Sequence, residues 1–221
     1  MNDRYRRCDR LPAFVDALRR GERRWLCCLG DSNTCNAQFT RGGKQWPELL
    51  HSALKEAAGT QTLMLANAGV SGDSVVEALA RFDHDVARVR PDLTIVCLGS
   101  NDANRLDDAA FDAGLGAIID HLLALGGEVV LRTPTPVWER KPSRIWPGDD
   151  KLRAKVARIR AIAEARALPL IDTYALWHDA ERDAGLRMAD VMSDEVHTDA
   201  LGHRLVFRQL LPAFALPIPP V

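Results

Sequence analysis

Short apolar runs alternate along the chain with longer segments in which apolar residues recur at helical spacing. The runs are too short for helices, and most are rich in Val, Ile, Leu and Cys without polar alternation. This pattern is typical of strands that are buried on both faces of a parallel sheet. Five such strands are predicted, at Trp25–Leu29, Leu63–Ala66, Leu93–Leu98, Val129–Leu131 and Leu168–Ile171.

The segments between these runs have the spacing of amphipathic helices. Five helices are predicted, at Trp46–Ala57, Ser74–Val89, Asp108–Leu125, Asp150–Ala167 and Ala200–Phe214. Strand–helix alternation implies right-handed crossovers, so we expect a three-layer α/β/α sandwich around a five-stranded parallel sheet. No internal repeat or low-complexity linker interrupts the pattern, and a single domain over residues 1–221 is expected.

Polar residues follow three of the predicted strands, at the edge of the sheet where ligands of such folds bind. The three segments are Gly30-Asp31-Ser32-Asn33, Asn67 to Ser74, and Gly99-Ser100-Asn101-Asp102. A fourth segment, Asp194 to His197, places an Asp three residues before a His. Together they contain a Ser nucleophile, a His base, an Asp that can orient the base, and donors for an oxyanion hole.

This ordered set of blocks resembles the GDSL/SGNH hydrolase family, in which four blocks carry Ser, Gly, Asn and His. The matching positions are Gly30-Asp31-Ser32, Asn67 to Gly72, Gly99 to Asp102, and Asp194 to His197, which span nearly the whole chain. The resemblance implies a flavodoxin-like α/β fold and serine esterase activity. Two positions depart from the family pattern, because Asn33 stands where Leu is usual and Thr198 follows the His in place of Pro.

The resemblance also assigns roles to individual residues. Ser32 would be the nucleophile, His197 the base and Asp194 the residue that orients it. The oxyanion hole would use the backbone N–H groups of Ser32 and Gly72 and the side-chain amide of Asn101. Gly69 is the alternative glycine.

Each of these residues also has an ordinary structural interpretation. Ser32 and Asp194 are common helix-capping or turn residues, and Gly and Asn favour turns. Ser74, in a second Gly-Asp-Ser, is expected to cap a helix. His203 is expected to pack within the last helix, whereas four histidines are expected at the surface: His51, His84, His121 and His178.

Two loops are candidates for substrate contact. The stretch from Thr133 to Asp150 is rich in Pro, Trp and charge, and includes Trp138 and Trp146. The loop Cys35–Lys44 follows the nucleophile and carries Phe39. Together with Asp31 and Asn33, these aromatic residues are the predicted substrate contacts.

Composition excludes several classes of protein but does not indicate a function. The chain has 221 residues, a formal net charge of −1 and 47% hydrophobic residues, which is ordinary for a globular protein. The near-neutral balance argues against a nucleic-acid partner. No run of about 18 apolar residues and no secretory signal is present, so neither a membrane span nor export is expected. Five cysteines without a C-x-x-C pair indicate free thiols and a cytoplasmic location.

The leading hypothesis is hydrolysis of a small-molecule carboxylic ester through an acyl-enzyme on Ser32. Short acyl or O-acetyl esters of small molecules, carbohydrates or lipids are the expected substrates, with no cofactor and no metal. An acyltransferase on the same scaffold is one alternative. A metal phosphoesterase using Asp31, Asp102, Asp194 and His197 is another, and a binding module with a degenerate site is a third. The sequence leaves the oligomeric state open.

Overall fold

One sheet contains the six strands of the computed structural model, which describes residues 3–35, 37–139 and 149–218. The strands are β1 (Tyr5–Arg6), β2 (Arg24–Gly30), β3 (Leu63–Gly69), β4 (Leu93–Cys97), β5 (Glu128–Arg132) and β6 (Leu170–Ile171). Their order across the sheet is β1-β6-β5-β4-β2-β3. β1 runs antiparallel to β6, and the other neighbouring pairs are parallel.

The predicted fold class is confirmed, but the predicted count of five strands is wrong. The additional strand is β1, a pair of half-buried residues, Tyr5 and Arg6, in a polar and Arg-rich segment. It has no apolar run, so hydrophobic periodicity gives no sign of it. β3 also differs from the expectation of burial on both faces, because it is the edge strand and exposes Met64.

Helices flank the sheet on both faces. Those of eight residues or more in the described part of the chain are α1 (Leu11–Arg19), α4 (Trp46–Ala58), α8 (Asp108–Ala124), α9 (Asp150–Ala165), α10 (Thr173–Ala184) and α11 (Ala200–Leu210). Shorter ones are α2 (Ser32–Cys35), α3 (Ala37–Thr40), α5 (Val75–Ala80), α6 (Phe82–Asp85) and α7 (Asp102–Arg105). α1 and α10 have no counterpart among the predicted helices.

The single helix predicted over Ser74–Val89 is two short helices, α5 and α6, followed by a 3₁₀ turn at Ala87–Val89. The helix stops at Arg81, whose backbone has φ −102° and ψ 5°. Ser74 caps α5 as expected, since its hydroxyl accepts the Val76 N–H and its own N–H donates to Glu77.

Two apolar clusters lie on opposite faces of the sheet and make the three layers. On one face Cys28, Ile95 and Val130 pack against α1, α4 and α11. On the other, Leu29, Val96 and Leu131 pack against α5, α8 and α9. All five cysteines are free. No helix within the described ranges is long and apolar enough to cross a membrane.

The strand order brings the polar blocks together. β2 lies between β3 and β4, and its last residue Gly30 is level with Gly69 on one side and Cys97 on the other. The parallel strands follow the flavodoxin-like order, in which ligands bind where the chain reverses direction across the sheet. Here that point lies between β2 and β4, and the segments carrying Ser32 and Asn101 follow these two strands directly.

Candidate active site

Ser32 begins α2, immediately after the turn that ends β2. The side chain is 5% exposed. The turn is tight, because the carboxylate of Asp31 accepts the Asn33 N–H at 2.9 Å and its carbonyl accepts the Thr34 N–H at 3.0 Å. Gly30 is required at this point, since a Cβ there would lie 2.2 Å from the Thr34 hydroxyl and 2.8 Å from the Cys97 carbonyl oxygen. The sequence thus folds into a sharp turn that places the Ser32 hydroxyl at the sheet edge.

His197 lies in a loop that closes on itself before α11. The Ser193 N–H donates to the His197 carbonyl at 2.8 Å. Asp194 accepts the backbone N–H groups of Val196 and His197 through Oδ1, both at 2.8 Å. Its other oxygen, Oδ2, lies 2.8 Å from His197 Nδ1. The three-residue spacing therefore lets one carboxylate fix both the backbone and the ring of the same histidine.

The imidazole joins this loop to the nucleophile turn. His197 Nε2 lies 3.1 Å from Ser32 Oγ, across 165 residues of sequence. Burial raises the pKa of Asp194, but the His197 hydrogen bond and the two backbone N–H groups outweigh it and hold that pKa below its ordinary value. Asp194 is thus ionised at neutral pH beside Nδ1. A Ser–His–Asp chain of this geometry can take the proton of the hydroxyl and stabilise the resulting imidazolium.

Phe39 covers the imidazole. Its ring is stacked on His197 with centroids 4.0 Å apart and planes 7° apart. The carbonyl of Phe39 accepts the Ser193 hydroxyl at 2.9 Å, which ties α3 to the His197 loop. Sequence reasoning placed Phe39 among the substrate contacts, and the structure places it against the predicted base.

Asn101 and the Gly72 turn lie together on the far side of the site. Asn101 Nδ2 donates to the Asp73 carbonyl at 2.9 Å. Gly72 has φ +89°, a left-handed conformation that favours glycine. The neighbouring Val70 N–H donates to the Gly30 carbonyl at 3.0 Å, which holds this turn against the end of β2. The structure thus brings both predicted hole residues to the sheet edge that carries Ser32.

Two residues that had no role in the predicted serine site hold these turns. Asp102 is fully buried and accepts the Gly99 and Val75 N–H groups, at 2.9 Å and 2.8 Å. Arg81 pairs with Asp73 and also donates to the Gly30 carbonyl. The sequence gives a signal for Asp102, because it directly follows Asn101, whereas nothing in the local sequence marks Arg81.

Asp31 and Asn33, predicted as substrate contacts, are buried in the nucleophile turn. Burial raises the pKa of Asp31 to about 6, although the Asn33 N–H, the Ser100 hydroxyl and the charge of Arg132 all lower it. The Asn33 carbonyl accepts the indole N–H of Trp46 at 3.0 Å. The contacts of Asp31 and Asn33 are therefore those of residues that shape the turn.

Of the five histidines other than His197, four lie as expected, and His51, which was expected at the surface, does not. His203 is buried in α11, where its Nδ1 accepts the Trp46 N–H at 3.3 Å. His84, His121 and His178 are exposed as expected. His51 is half-buried, and its Nε2 lies 3.0 Å from the Leu63 carbonyl oxygen.

Comparisons with known proteins agree with this geometry. The model of the GDSL-like lipase/acylhydrolase family matches residues 28–205, which include all four blocks. The chain belongs to the GDSL-like lipase/acylhydrolase family. This confirms the family, and with it the ester-hydrolase class, that the ordered blocks predicted.

Two curated relatives of this GDSL-like chain are esterases. An arylesterase of Vibrio mimicus is 33% identical over 107 residues, which are 48% of this chain and 52% of that protein. The match thus spans about half the length of that relative. An acetylxylan esterase of Geobacillus stearothermophilus is 26% identical over 163 residues, 67% of this chain and 71% of that protein.

Solved structures confirm the fold. A catalytic mutant of Axe2, the acetylxylan esterase from Geobacillus stearothermophilus, superposes with a TM-score of 0.75 at 20% identity. The match covers 90% of this chain and 97% of that one. The acetyl xylan esterase AlAXEase gives a TM-score of 0.72 at 23% identity, and the match covers 86% of this chain and 98% of that one.

Of the predicted aromatic contacts in the loop after β5, Trp138 is described and Trp146 lies outside the described residues. The Trp138 N–H donates to the Glu195 carbonyl at 2.8 Å, inside the loop that carries Asp194 and His197. Trp138 also lines a cavity of about 490 Å³ with Asp149, Tyr174 and Glu181. Trp138 is therefore attached to the His197 loop of the GDSL-like fold.

The metal alternative requires Asp31, Asp102, Asp194 and His197 to converge. Among the described residues, no three His, Cys, Asp or Glu side chains are grouped as metal ligands. Both oxygens of Asp102 already accept backbone N–H groups, and Asp194 is bound to its own loop. These carboxylates hold turns in the GDSL-like site.

Proposed function

We propose that the chain hydrolyses short acyl esters, O-acetyl esters above all, through an acyl-enzyme on Ser32. The observation that carries the proposal is the continuous chain from Ser32 Oγ to His197 Nε2 at 3.1 Å and from His197 Nδ1 to Asp194 Oδ2 at 2.8 Å. Nucleophile and base lie within hydrogen-bond reach, and the base is oriented by a third group, which is the signature of an activated hydroxyl.

In the first half-reaction Ser32 Oγ attacks the ester carbonyl carbon while its proton moves to His197 Nε2. The tetrahedral intermediate then expels the alcohol, which takes this proton from Nε2, and the acyl group remains on Ser32. In the second half-reaction water attacks the acyl carbonyl, gives a proton to Nε2, and the acid leaves as the proton returns to Ser32.

The oxyanion formed in both half-reactions needs donors. In this proposal they are the N–H groups of Ser32 and Gly72 and the amide of Asn101. Asn101 Nδ2 uses one hydrogen on the Asp73 carbonyl, which fixes the plane of the amide and leaves its second hydrogen for the oxyanion. Donors fixed before the reaction stabilise charge without reorganisation during it.

O-acetyl esters are the favoured substrates for two reasons. The acetylxylan esterases among the relatives and structural neighbours act on acetyl groups, and their match extends over most of this chain. The ring of Phe39 stacks on His197 and occupies one face of the base, and we expect it to favour a small acyl group. The chain is proposed to act in the cytoplasm, where its five free thiols would stay reduced.

The test uses p-nitrophenyl esters of increasing acyl length and acetylated sugars, with a serine-reactive fluorophosphonate as the covalent probe. We expect turnover of the acetate, stoichiometric labelling, and loss of both in Ser32→Ala. Ser74→Ala is the matched control, because Ser74 stands in the second Gly-Asp-Ser and caps α5; this variant should still be labelled.

Turnover that is sensitive to a chelator and untouched by the fluorophosphonate would overturn the serine mechanism. Labelling of Ser32 together with turnover that rises on addition of an alcohol, with the new ester as product, would identify acyl transfer instead. Failure of all esters to react would favour a binding module.

A further inference from the structure

Arg132 is a buried cation beneath the nucleophile turn. It is the last residue of β5 and is 1% exposed. The preceding residue, Leu131, is level with Val96 of β4, so Arg132 is level with Cys97, which in turn pairs with Gly30 of β2. The row Arg132–Cys97–Gly30 therefore crosses three adjacent strands and ends at the residue before Asp31.

The Arg132 side chain lies on the face of the sheet covered by α4 and α11. Its guanidinium carbon is 4.9 Å from the centre of a Trp46 ring. Among the described residues, no oxygen or nitrogen acceptor lies within hydrogen-bond distance of its guanidinium nitrogens. A charge buried in this way depends on nearby charge, on the aromatic face and on its contact with the Cys97 thiol.

Asp31 supplies the opposite charge. It is also 1% exposed, and Arg132 lowers its pKa against the raising effects of burial and of Asp102 on α7. Other titratable groups around the two residues are three thiols and one imidazole. The charge of Asp31 raises the pKa of the Cys35 and Cys97 thiols, whereas the charge of Arg132 lowers the pKa of Cys28, Cys97 and His203 on α11. Asp31, one residue beyond the Arg132–Cys97–Gly30 row, is thus a carboxylate at the Ser32 turn on which this cation acts through charge, with no hydrogen bond between the two.

Asp31 and Arg132 are also joined through neutral contacts around Ser32. The Asp31 carboxylate holds the Asn33 N–H and interacts with the Ser100 hydroxyl, next to Asn101. The Asn33 carbonyl is held by the Trp46 indole, on which Arg132 stacks. The nucleophile turn is therefore enclosed by one connected group of buried residues.

We propose that Arg132 is a positioning residue for ester hydrolysis, a buried cation packed on Trp46 that holds the Ser32 turn in register with the Asn101 turn. This inference rests on the proposed function. Arg132 acts through Asp31 and Trp46 and touches no reacting atom, so its loss should lower kcat and leave KM nearly unchanged.

The experiment compares Arg132→Met and Arg132→Lys with the wild type on p-nitrophenyl acetate. Rates are expressed per active site titrated with the fluorophosphonate, so unfolded protein does not contribute. We expect Arg132→Met to lower kcat by about 10- to 100-fold, the range that misplacement of reacting groups causes. Arg132→Lys keeps the charge and should recover most of the rate. Arg132→Gln, which is neutral but polar, provides the same test if Arg132→Met does not fold.

The pH profile separates the role of Asp31 from that of His197, whose protonation also stops the reaction. Removing Arg132 should move the acid limb of kcat/KM to higher pH, because Asp31 then loses its charge at higher pH. In an Asp31→Asn background the same substitution should leave the limb in place. A shift of equal size in both backgrounds would assign the effect to His197 and overturn the proposal.

Arg4→Met is the matched control. Arg4 donates two hydrogen bonds to Asp179, and neither residue belongs to a block of the site. This variant therefore removes an Arg that pairs with an Asp without changing the Ser32 turn. Its rate per titrated site should equal that of the wild type. An Arg132→Met rate that matches the Arg4→Met rate, or an Arg132→Lys rate no better than that of Arg132→Met, would also overturn the proposal. Absence of wild-type labelling at Ser32 would instead refute the proposed function.

Discussion

The ring of Phe39 lies flat on the imidazole of His197, with centroids 4.0 Å apart and planes 7° apart. Asp194 fixes this imidazole at Nδ1, so the ring could still tilt about that hydrogen bond. Phe39 restricts the tilt from the face of the ring. Orientation of the base thus depends on two contacts, one polar and close in sequence, the other aromatic and more than 150 positions away.

Phe39→Ala should lower kcat by about two- to tenfold, since an aromatic pair contributes about 0.5–1.5 kcal/mol beyond its buried area. Phe39→Tyr keeps the stacked ring and should stay near the wild-type rate. Steady-state kinetics on p-nitrophenyl acetate distinguishes the two interpretations of this residue. A change confined to KM would identify Phe39 as a substrate contact and not as a support for His197.

Asn101→Ala should lower kcat by a factor on the order of hundreds, because loss of one oxyanion donor costs about 3–4 kcal/mol of transition-state stabilisation. Asn104→Ala is the matched control, since Asn104 is an exposed Asn in the short helix α7, which begins directly after Asn101. Fluorophosphonate titration counts the folded sites in each variant. A near-wild-type rate for Asn101→Ala would remove this residue from the hole.

Two buried groups should make opposite contributions to stability in acid. Burial and the charge of Arg132 lower the pKa of His203 from 6.5 to about 4, so its contribution falls as the pH drops from 6.5 towards 4. Burial raises the pKa of Asp31 from 3.8 to about 6, so its contribution rises as the pH drops through 6. Because a tenfold change in proton affinity is worth about 1.4 kcal/mol, each effect reaches about 3 kcal/mol.

Urea unfolding at pH 7, 6 and 5 checks this compensation. Relative to the wild type, His203→Gln should gain stability as the pH falls, and Asp31→Asn should lose it. Parallel pH dependences in the two variants would show that these groups do not titrate as their burial implies.

Trp46→Phe should lower both stability and activity. The substitution removes the indole N–H that holds the Asn33 carbonyl, a hydrogen bond worth about 1 kcal/mol, and weakens the contact with Arg132. Trp177→Phe is the control for stability alone, because Trp177 is equally buried and its indole N–H donates to Met188, outside the site. If Trp46→Phe lost stability but kept its rate per titrated site, Trp46 would contribute to the packing of the core and not to activity.

The sequence predicted those parts of the site whose residues lie close together along the chain. Gly30-Asp31-Ser32 after a buried strand and Asp194 three residues before His197 are local arrangements, in which the chain itself sets the distances. The same holds for Ser74, whose capping of α5 needs only the residues that follow it. The strand runs were equally visible, because burial on both faces of a parallel sheet leaves a continuous apolar segment.

Residues that act across elements could not be predicted in this way. Arg81 reaches the Gly30 carbonyl 51 positions away, and Phe39 reaches His197 from a separate helix. Arg132 ends a strand that was correctly predicted, yet its burial beside Asp31 depends on strand order and register. An Arg at the end of a strand is usually exposed, so composition alone gave it no importance.

By itself, the sequence determined which family the chain belongs to, since the ordered blocks depend only on residue type and local spacing. The tertiary structure decided which buried charges and rings surround those blocks. It buried Asp31 and Arg132 near the ends of their strands, where charges act more strongly than in water, and it stacked Phe39 on His197. Such contacts depend on how distant segments pack, and packing is fixed only when the whole sheet is assembled.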